Sequence, residues 1–139
     1  MIHRVLDLQN LTVEQTSIPI AKVTAVSADT PVPKILELYR ERGFSRMPVW
    51  SESDGRRHIV GIIDLNSIIF EENVGDQNTA ADYVSSCPRF PWTMRLEIAL
   101  RELQRTNQRL GVVLDREGAE SGIVSLQDIL NIIFGEVAL

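Results

Sequence analysis

An internal duplication constrains this chain more than any other feature of its 139 residues. Three apolar blocks of the first half return in the same order in the second half. Ile35-Leu36-x-x-Tyr39 matches Ala99-Leu100-x-x-Leu103, Met47-Pro48-Val49 matches Leu110-Gly111-Val112, and Val60-Gly61-Ile62-Ile63 matches Ser121-Gly122-Ile123-Val124. The offset falls from 64 to 63 to 61 residues, so the length difference lies in the connections. Matching blocks in one order indicate two copies of a single supersecondary unit.

Each copy has the pattern of a small α+β unit, with the order strand, helix, strand, turn, strand, helix. In the first copy the pattern predicts a strand over 22–26, a helix capped by Thr30, a hairpin turning at Asp54-Gly55 and a helix beginning at Asp64. In the second copy it predicts a helix capped by Thr93, strands over 111–114 and 121–124, and a helix over 126–137. About fifty residues are few for an independent core, so we expect the copies to pack on each other about a pseudo-twofold axis.

Composition excludes several classes of function. A net charge of −5 without a Lys/Arg cluster argues against a nucleic-acid partner. Cys87 is the only cysteine, and with His3 and His58 it is too scattered to form a metal site. No base–nucleophile pair or phosphate-binding glycine loop indicates an enzyme. No apolar run approaches the ~20 residues that span a bilayer, so the chain is expected to be soluble.

The segment from Gly122 to Asp128 is the strongest candidate for a binding site. Ser125 ends an apolar strand, and Asp128 follows in what reads as the first turn of a helix. One interpretation is a helix cap, with Ser125 accepting from a backbone N–H and Asp128 near the positive helix end. The other is a ligand site, in which the helix start binds phosphate and Asp128 accepts hydrogen bonds from sugar hydroxyls. The spacing alone favours the cap.

The motifs of both halves resemble those of a tandem CBS-domain pair, also called a Bateman module. Ser45-Arg46-Met47-Pro48-Val49 and the later Gly-x-x-(Ser/Thr)-x-x-Asp carry this resemblance. The end, from Gly122 to Leu130 and then Ile133-Phe134-Gly135-Glu136-Val137, resembles CorC, haemolysin-C (TlyC) and cyclin-M type proteins, as does Thr12 to Pro19. The resemblance implies an α+β fold with one CBS pair over 1–139, made of two β-α-β-β-α repeats at 17–72 and 80–137.

The same resemblance implies a function. The pair would be a fragment of a longer protein, a regulatory module on the cytoplasmic side of an attached membrane domain for magnesium or cobalt transport, or of haemolysin-like type. AMP, ADP or ATP would bind between the repeats, with or without Mg, and no cofactor would be required. The pair would form a homodimer through its CBS helices. The alternative is a structural dimerisation module with a vestigial ligand site.

The resemblance also assigns the nucleotide contacts. Ser125 would contact phosphate or ribose, Asp128 the ribose hydroxyls, and Arg46 would neutralise phosphate. The full set is Val23, Thr24, Ala25, Ser45, Arg46, Met47, Pro48, Gly122, Ser125 and Asp128. A solvated arginine at a strand edge explains Arg46 equally well. Core packing explains Met47 at least as well as a contact with adenine.

The equivalent segment of the first repeat departs from the motif. Asp64 stands where phosphate would need a hydroxyl, and Ser67 stands where ribose would need a carboxylate. An ionised Asp64 would repel a phosphate by ~1 kcal/mol or more at close range, and an N-cap is its simpler role. We therefore expect one occupied cleft and a weaker second one lined by Asp64, Ser67, Gln108 and Arg109.

Overall fold

The computed structural model describes residues 10–43, 45–69 and 77–137. In chain order its elements are α1 (Val13–Thr16), β1 (Ile18–Pro19), β2 (Val26–Ser27), α2 (Val32–Arg42), β3 (Arg46–Ser53), β4 (Arg56–Asp64), α3 (Leu65–Ile69), β5 (Arg89–Pro91), α4 (Leu96–Arg105), β6 (Leu110–Leu114), β7 (Glu120–Ser125) and α5 (Leu126–Val137), with 3₁₀ turns at Ile20–Lys22 and Ala80–Asp82. The chain divides into two compact units. Unit 1 comprises Met1–Val23 and Cys87–Leu139, and unit 2 comprises Thr24–Ser86.

Unit 2 contains the first β-α-β-β-α series. Its sheet has the order β2-β3-β4, with β2 parallel and β4 antiparallel to β3. Helix α2 ends at Gly43, which has φ +77° and donates its N–H to the Tyr39 carbonyl at 2.7 Å. A glycine adopts this left-handed conformation without steric cost, as predicted for the helix end. The core consists of buried apolar side chains, chiefly Val26, Val32, Ile35, Met47, Val49, Ile63, Leu65, Ile68 and Ala80.

Unit 1 contains the second series and one additional strand. Its sheet has the order β1-β7-β6-β5, in which β5 is parallel to β6, and β7 is antiparallel to both β6 and β1. Its core is formed by Val13, Phe90, Leu96, Ala99, Leu103, Val113, Val124 and Ile129. The predicted α+β fold with two β-α-β-β-α repeats is confirmed.

The duplication extends to the register of the hairpins. The pairing of β3 with β4 begins at Arg46 and Asp64, and that of β6 with β7 begins at Leu110 and Ser125. Both hairpins have an irregularity at the same point, after Val49 and after Val113. These pairs place the offset at 64 residues along β3 and β6, so the predicted match of Met47 with Leu110 is wrong by one residue. The offset falls to 61 because the second hairpin is shorter.

Each unit is completed by the segment that precedes the other repeat. In unit 1, Thr12 bridges Arg95 and β1 pairs with β7; in unit 2, Thr79 bridges Pro31 and Ser85 bridges Ile62. Thr12 donates its N–H to the Gln15 side chain at 2.8 Å, and Thr79 donates its N–H to Asp82 at 2.9 Å. The two segments are therefore structural equivalents. The repeat bounds 17–72 and 80–137 stay a prediction, since the compact units group the chain differently.

Two local predictions are wrong. The strand expected over 22–26 is reduced to Val26–Ser27, because only these two residues find a partner on β3. Thr30 and Thr93 cap no helix: the N-cap positions are Pro31 and Arg95, without a side-chain cap. Pro31 and Arg95 each form an isolated β-bridge, so the chain is extended as far as these two residues. The helices begin at the next residue in each case, Val32 and Leu96. The predicted turn at Asp54-Gly55 is confirmed by φ values of +54° and +75°.

Candidate functional site

The end of β7 and the start of α5 hold Ser125 and Asp128 in fixed geometry. Strand β7 ends at Ser125, and Leu126, the first helical residue, donates its N–H to the Arg109 carbonyl at 2.9 Å. Ser125 Oγ accepts a hydrogen bond from the Asp128 N–H at 3.0 Å. The cap interpretation of Ser125 is therefore confirmed. A serine hydroxyl that accepts this bond retains its O–H as a donor.

The Asp128 carboxylate remains available for a ligand. Asp128 is partly exposed, and its carboxylate forms no side-chain hydrogen bond or ion pair among the described residues. Its neighbour Ile129 is fully buried in the core of unit 1 and anchors the first turn of α5. The Asp128 carboxylate can therefore accept hydrogen bonds from two adjacent hydroxyls of a ligand. The positive end of the α5 dipole lies nearby and favours a negatively charged ligand group.

Gly122 is required by the packing of β1. A Cβ atom at this position would lie 2.6 Å from the Ile18 carbonyl oxygen and 2.9 Å from Ser17 Oγ. Gly122 pairs with Pro19 in the sheet, and its neighbour Ile123 pairs with Ile18. The close approach of the two backbones thus explains this glycine of the motif without reference to a ligand.

Arg46 and Asp64 face each other at the first pair of the β3–β4 hairpin. Arg46 Nε lies 3.7 Å from Asp64 Oδ2, and the two side chains are 29% and 35% exposed. Asp64 Oδ1 accepts the Asn66 N–H at 3.0 Å, which confirms its predicted role as a helix cap. The sequence motifs assigned Arg46 and Asp64 to different clefts. Unit 2 brings them together.

The other predicted first-repeat residues differ in exposure. Met47 is 1% exposed and belongs to the core of unit 2, as the core-packing interpretation of this side chain predicts. Pro48 is buried as well, and Ser45 accepts the Leu65 N–H on its carbonyl oxygen at 2.8 Å. Three partly exposed residues connect the 3₁₀ turn to β2, namely Val23 of unit 1 with Thr24 and Ala25 of unit 2.

The remaining residues of the predicted weaker cleft lie in two units. Ser67 is exposed on α3 of unit 2. Gln108 and Arg109 lie just before β6 in unit 1, where Gln108 donates its N–H to the Leu103 carbonyl at 2.9 Å. The Arg109 carbonyl holds the start of α5, so Arg109 lies next to the segment of Ser125. The proximity of Arg109 to Ser125 follows from the register of the β6–β7 hairpin and is not evident from the sequence.

Two features were not assigned by sequence reasoning. Arg57 lies over the Trp50 ring at 4.1 Å and Arg116 over the Trp92 ring at 5.0 Å, so both tryptophans serve as cation–π partners. A surface pocket of about 310 Å³ is lined by Glu14, Trp92, Asp115, Arg116 and Glu117. No pattern in the sequence marks it.

Cys87 is a free cysteine of intermediate exposure. Burial raises the pKa of the Cys87 thiol; Arg89 opposes this shift and Glu120 adds to it, so the thiolate is disfavoured. Across residues 10–43, 45–69 and 77–137, His, Cys, Asp and Glu side chains form no group of three that could hold a metal ion. Within the same ranges, no helix has the length and apolar character needed to cross a membrane.

The fold and the Ser125–Asp128 segment define a CBS-domain protein. The CBS domain profile matches residues 16–72 and 93–135, and the chain belongs to this family. Its homologues include a UPF0053 protein of Mycobacterium tuberculosis, 28% identical over 99% of this chain and 32% of that protein. The magnesium and cobalt efflux protein CorC of Salmonella typhimurium is 25% identical over 99% of this chain and 47% of that protein. The chain thus spans less than half the length of these relatives.

A solved structure of the same type covers nearly the whole chain. It is the CBS domain of a bacterial CNNM/CorC family Mg²⁺ transporter in complex with ATP, with a TM-score of 0.85 and 29% identity over 96% of this chain and 94% of that one. A hemolysin-like protein of Oenococcus oeni that contains a CBS domain shares the fold, with a TM-score of 0.83 and 21% identity. The predicted resemblance to CBS pairs of the CorC and haemolysin-like type is confirmed.

Proposed function

We propose that this chain is the regulatory, adenine-nucleotide-binding CBS pair of a CorC-type protein for divalent-cation (Mg or Co) transport. The observation that carries the proposal is the Asp128 carboxylate in the first turn of α5, which is partly exposed and unpaired among the described residues. The backbone N–H of the same residue is bonded to the Ser125 hydroxyl. Support comes from the related CBS domain of a CNNM/CorC family Mg²⁺ transporter, which was solved in complex with ATP.

In this proposal Asp128 accepts hydrogen bonds from the ribose hydroxyls. Ser125 donates its O–H to phosphate or ribose, and the start of α5 favours the negative charge. The wider set of proposed nucleotide contacts remains Val23, Thr24, Ala25, Ser45, Arg46, Met47, Pro48 and Gly122. Among these, the exposed fraction of 1% leaves Met47 little surface to offer.

The proposed role is regulation without catalysis. A nucleotide that binds one conformation of the pair more tightly than another shifts the population toward it, and an attached membrane domain senses that shift. We place the pair on the cytoplasmic side of this domain, as a homodimer through its helices. Ile98 on α4 and Phe134 on α5 are 44% and 63% exposed, and they offer apolar surface for such an interface.

A second candidate is a structural dimerisation module whose ligand site is vestigial. Helix capping accounts for Ser125, and the close approach of β1 accounts for Gly122, so two of the three motif residues need no ligand. The two candidates differ in what they predict for nucleotide binding.

Calorimetric titration with AMP, ADP and ATP, each with and without Mg²⁺, distinguishes them. We expect at least one adenine nucleotide to bind with a Kd of about 1 mM or tighter. Free tripolyphosphate serves as the control for binding through charge alone. No adenine nucleotide binding at millimolar concentration, together with a dimer in analytical ultracentrifugation, would favour the structural module.

A further inference from the structure

The ion pair between Arg46 and Asp64 is a feature of the first repeat alone. The equivalent pair in the second repeat is Leu110 and Ser125, which open the β6–β7 hairpin in the same register. The first repeat therefore has the guanidinium of Arg46 where the second has the apolar side chain of Leu110. It has the carboxylate of Asp64 where the second has the hydroxyl of Ser125. The two charges replace an uncharged pair together.

The Asp64 carboxylate is held in position from two sides. Its Oδ1 accepts the Asn66 N–H at 3.0 Å, while its Oδ2 lies 3.7 Å from Arg46 Nε. The carboxylate is therefore anchored to the backbone of α3 and does not depend on the arginine for its location. The two side chains are about one third exposed, so a dissolved anion can reach the guanidinium.

We propose that Asp64 limits the phosphate affinity of this CBS pair by acting as an internal counter-anion for Arg46. This inference rests on the proposed function, in which Arg46 neutralises nucleotide phosphate. A phosphate that binds Arg46 must compete with Asp64 and also approaches its negative charge. Asp64 is thus a specificity-determining residue that weakens polyphosphate binding at this hairpin.

The substitution Asp64→Asn isolates the charge from the cap. Asparagine is as good an N-cap as aspartate, so the amide oxygen retains the bond from the Asn66 N–H and the fold is preserved. The matched control is Asp54→Asn at the opposite end of the same hairpin, where φ is +54° and asparagine is equally tolerated. Both variants lose one negative charge from unit 2, and only one of them loses it beside Arg46.

The test is calorimetric titration of ATP and of tripolyphosphate into the wild type, D64N, D54N, R46A and the double variant R46A/D64N. We expect D64N to tighten ATP binding about fivefold at low ionic strength, with a smaller gain at high salt. D54N should match the wild type, and R46A/D64N should match R46A. The coupling between the two residues is read directly from this double-mutant cycle.

If the wild type binds ATP, three results would overturn the inference: an unchanged ATP affinity in D64N, the same gain in D54N, or the same gain in the R46A background. The inference and the proposed function fail separately. If the wild type binds no nucleotide but D64N binds tripolyphosphate through Arg46, the counter-anion is supported and the nucleotide proposal falls. If neither ligand binds D64N, the counter-anion is excluded.

Discussion

Replacing Gly61 with alanine is expected to lower the free energy of unfolding by about 4 kcal/mol. A Cβ atom on Gly61 would lie 2.1 Å from the Ser85 carbonyl oxygen and 2.8 Å from Val84 Cγ2. The obstacle at 2.1 Å is backbone, which cannot rotate away as a side chain can. Ser85 exchanges two hydrogen bonds with Ile62, at 2.8 and 2.9 Å, and both must lengthen when the methyl group displaces it. The free-energy cost of overpacking therefore adds to the cost of the weakened hydrogen bonds.

Equilibrium unfolding in urea measures this loss, and Gly135→Ala is the matched control. Gly135 lies in α5, and a Cβ atom added there would meet nothing within 4 Å, so alanine should raise the free energy of unfolding by up to about 1 kcal/mol through helix propensity. The two glycine-to-alanine substitutions are thus predicted to change the free energy of unfolding in opposite directions. A Gly61→Ala variant as stable as the wild type would mean that the 78–86 segment does not pack on β4 as described.

Replacing Gly122 with alanine should cost about 2–3 kcal/mol and detach β1 from β7. The added Cβ would lie 2.6 Å from the Ile18 carbonyl oxygen, and the next obstacle, Ser17 Oγ at 2.9 Å, is a side chain that can rotate. The longer distance explains why the expected effect is smaller than at Gly61. Strand β1 has only two residues, so little else holds it on the sheet.

Amide hydrogen exchange together with urea unfolding tests this second prediction. Protection should fall at Ile18 and Ile123, the paired residues of β1 and β7, while amides of α4 keep theirs. Gly135→Ala again serves as the control, with exchange at β1 unchanged. Full protection of Ile18 in the Gly122→Ala variant would contradict the packing role of this glycine.

The architecture of each repeat was predictable because its signals are local. Apolar periodicity identified α2 and α5, the Asp54-Gly55 pair identified a hairpin, and Gly43 identified a helix end. The exchange of segments between the repeats was not predictable in this way. The two residues of β1 carry no strand pattern of their own, and their pairing with β7 joins residues more than a hundred positions apart.

The candidate site was predictable in one half and not in the other. Ser125 and Asp128 are three residues apart, so their hydrogen bond follows from helix geometry. Arg46 and Asp64 are neighbours only through the pairing of β3 with β4. The sequence match of Met47 with Leu110 was shifted by one residue, which aligned Arg46 with Arg109 and hid its relation to Leu110. A shift of one residue in a strand moves every side chain to the other face.

Titration of ATP into Asp128→Ala and Ser67→Ala variants tests the central claim most directly, because these residues occupy equivalent positions after β7 and after β4. Asp128→Asn is included to remove the charge with the least change of shape. We predict that both changes at Asp128 weaken ATP binding at least about tenfold, since a charged acceptor of hydrogen bonds is lost, while Ser67→Ala changes the Kd by less than about twofold. Equal effects at the two positions, or full ATP affinity without the Asp128 carboxylate, would contradict the proposed nucleotide site.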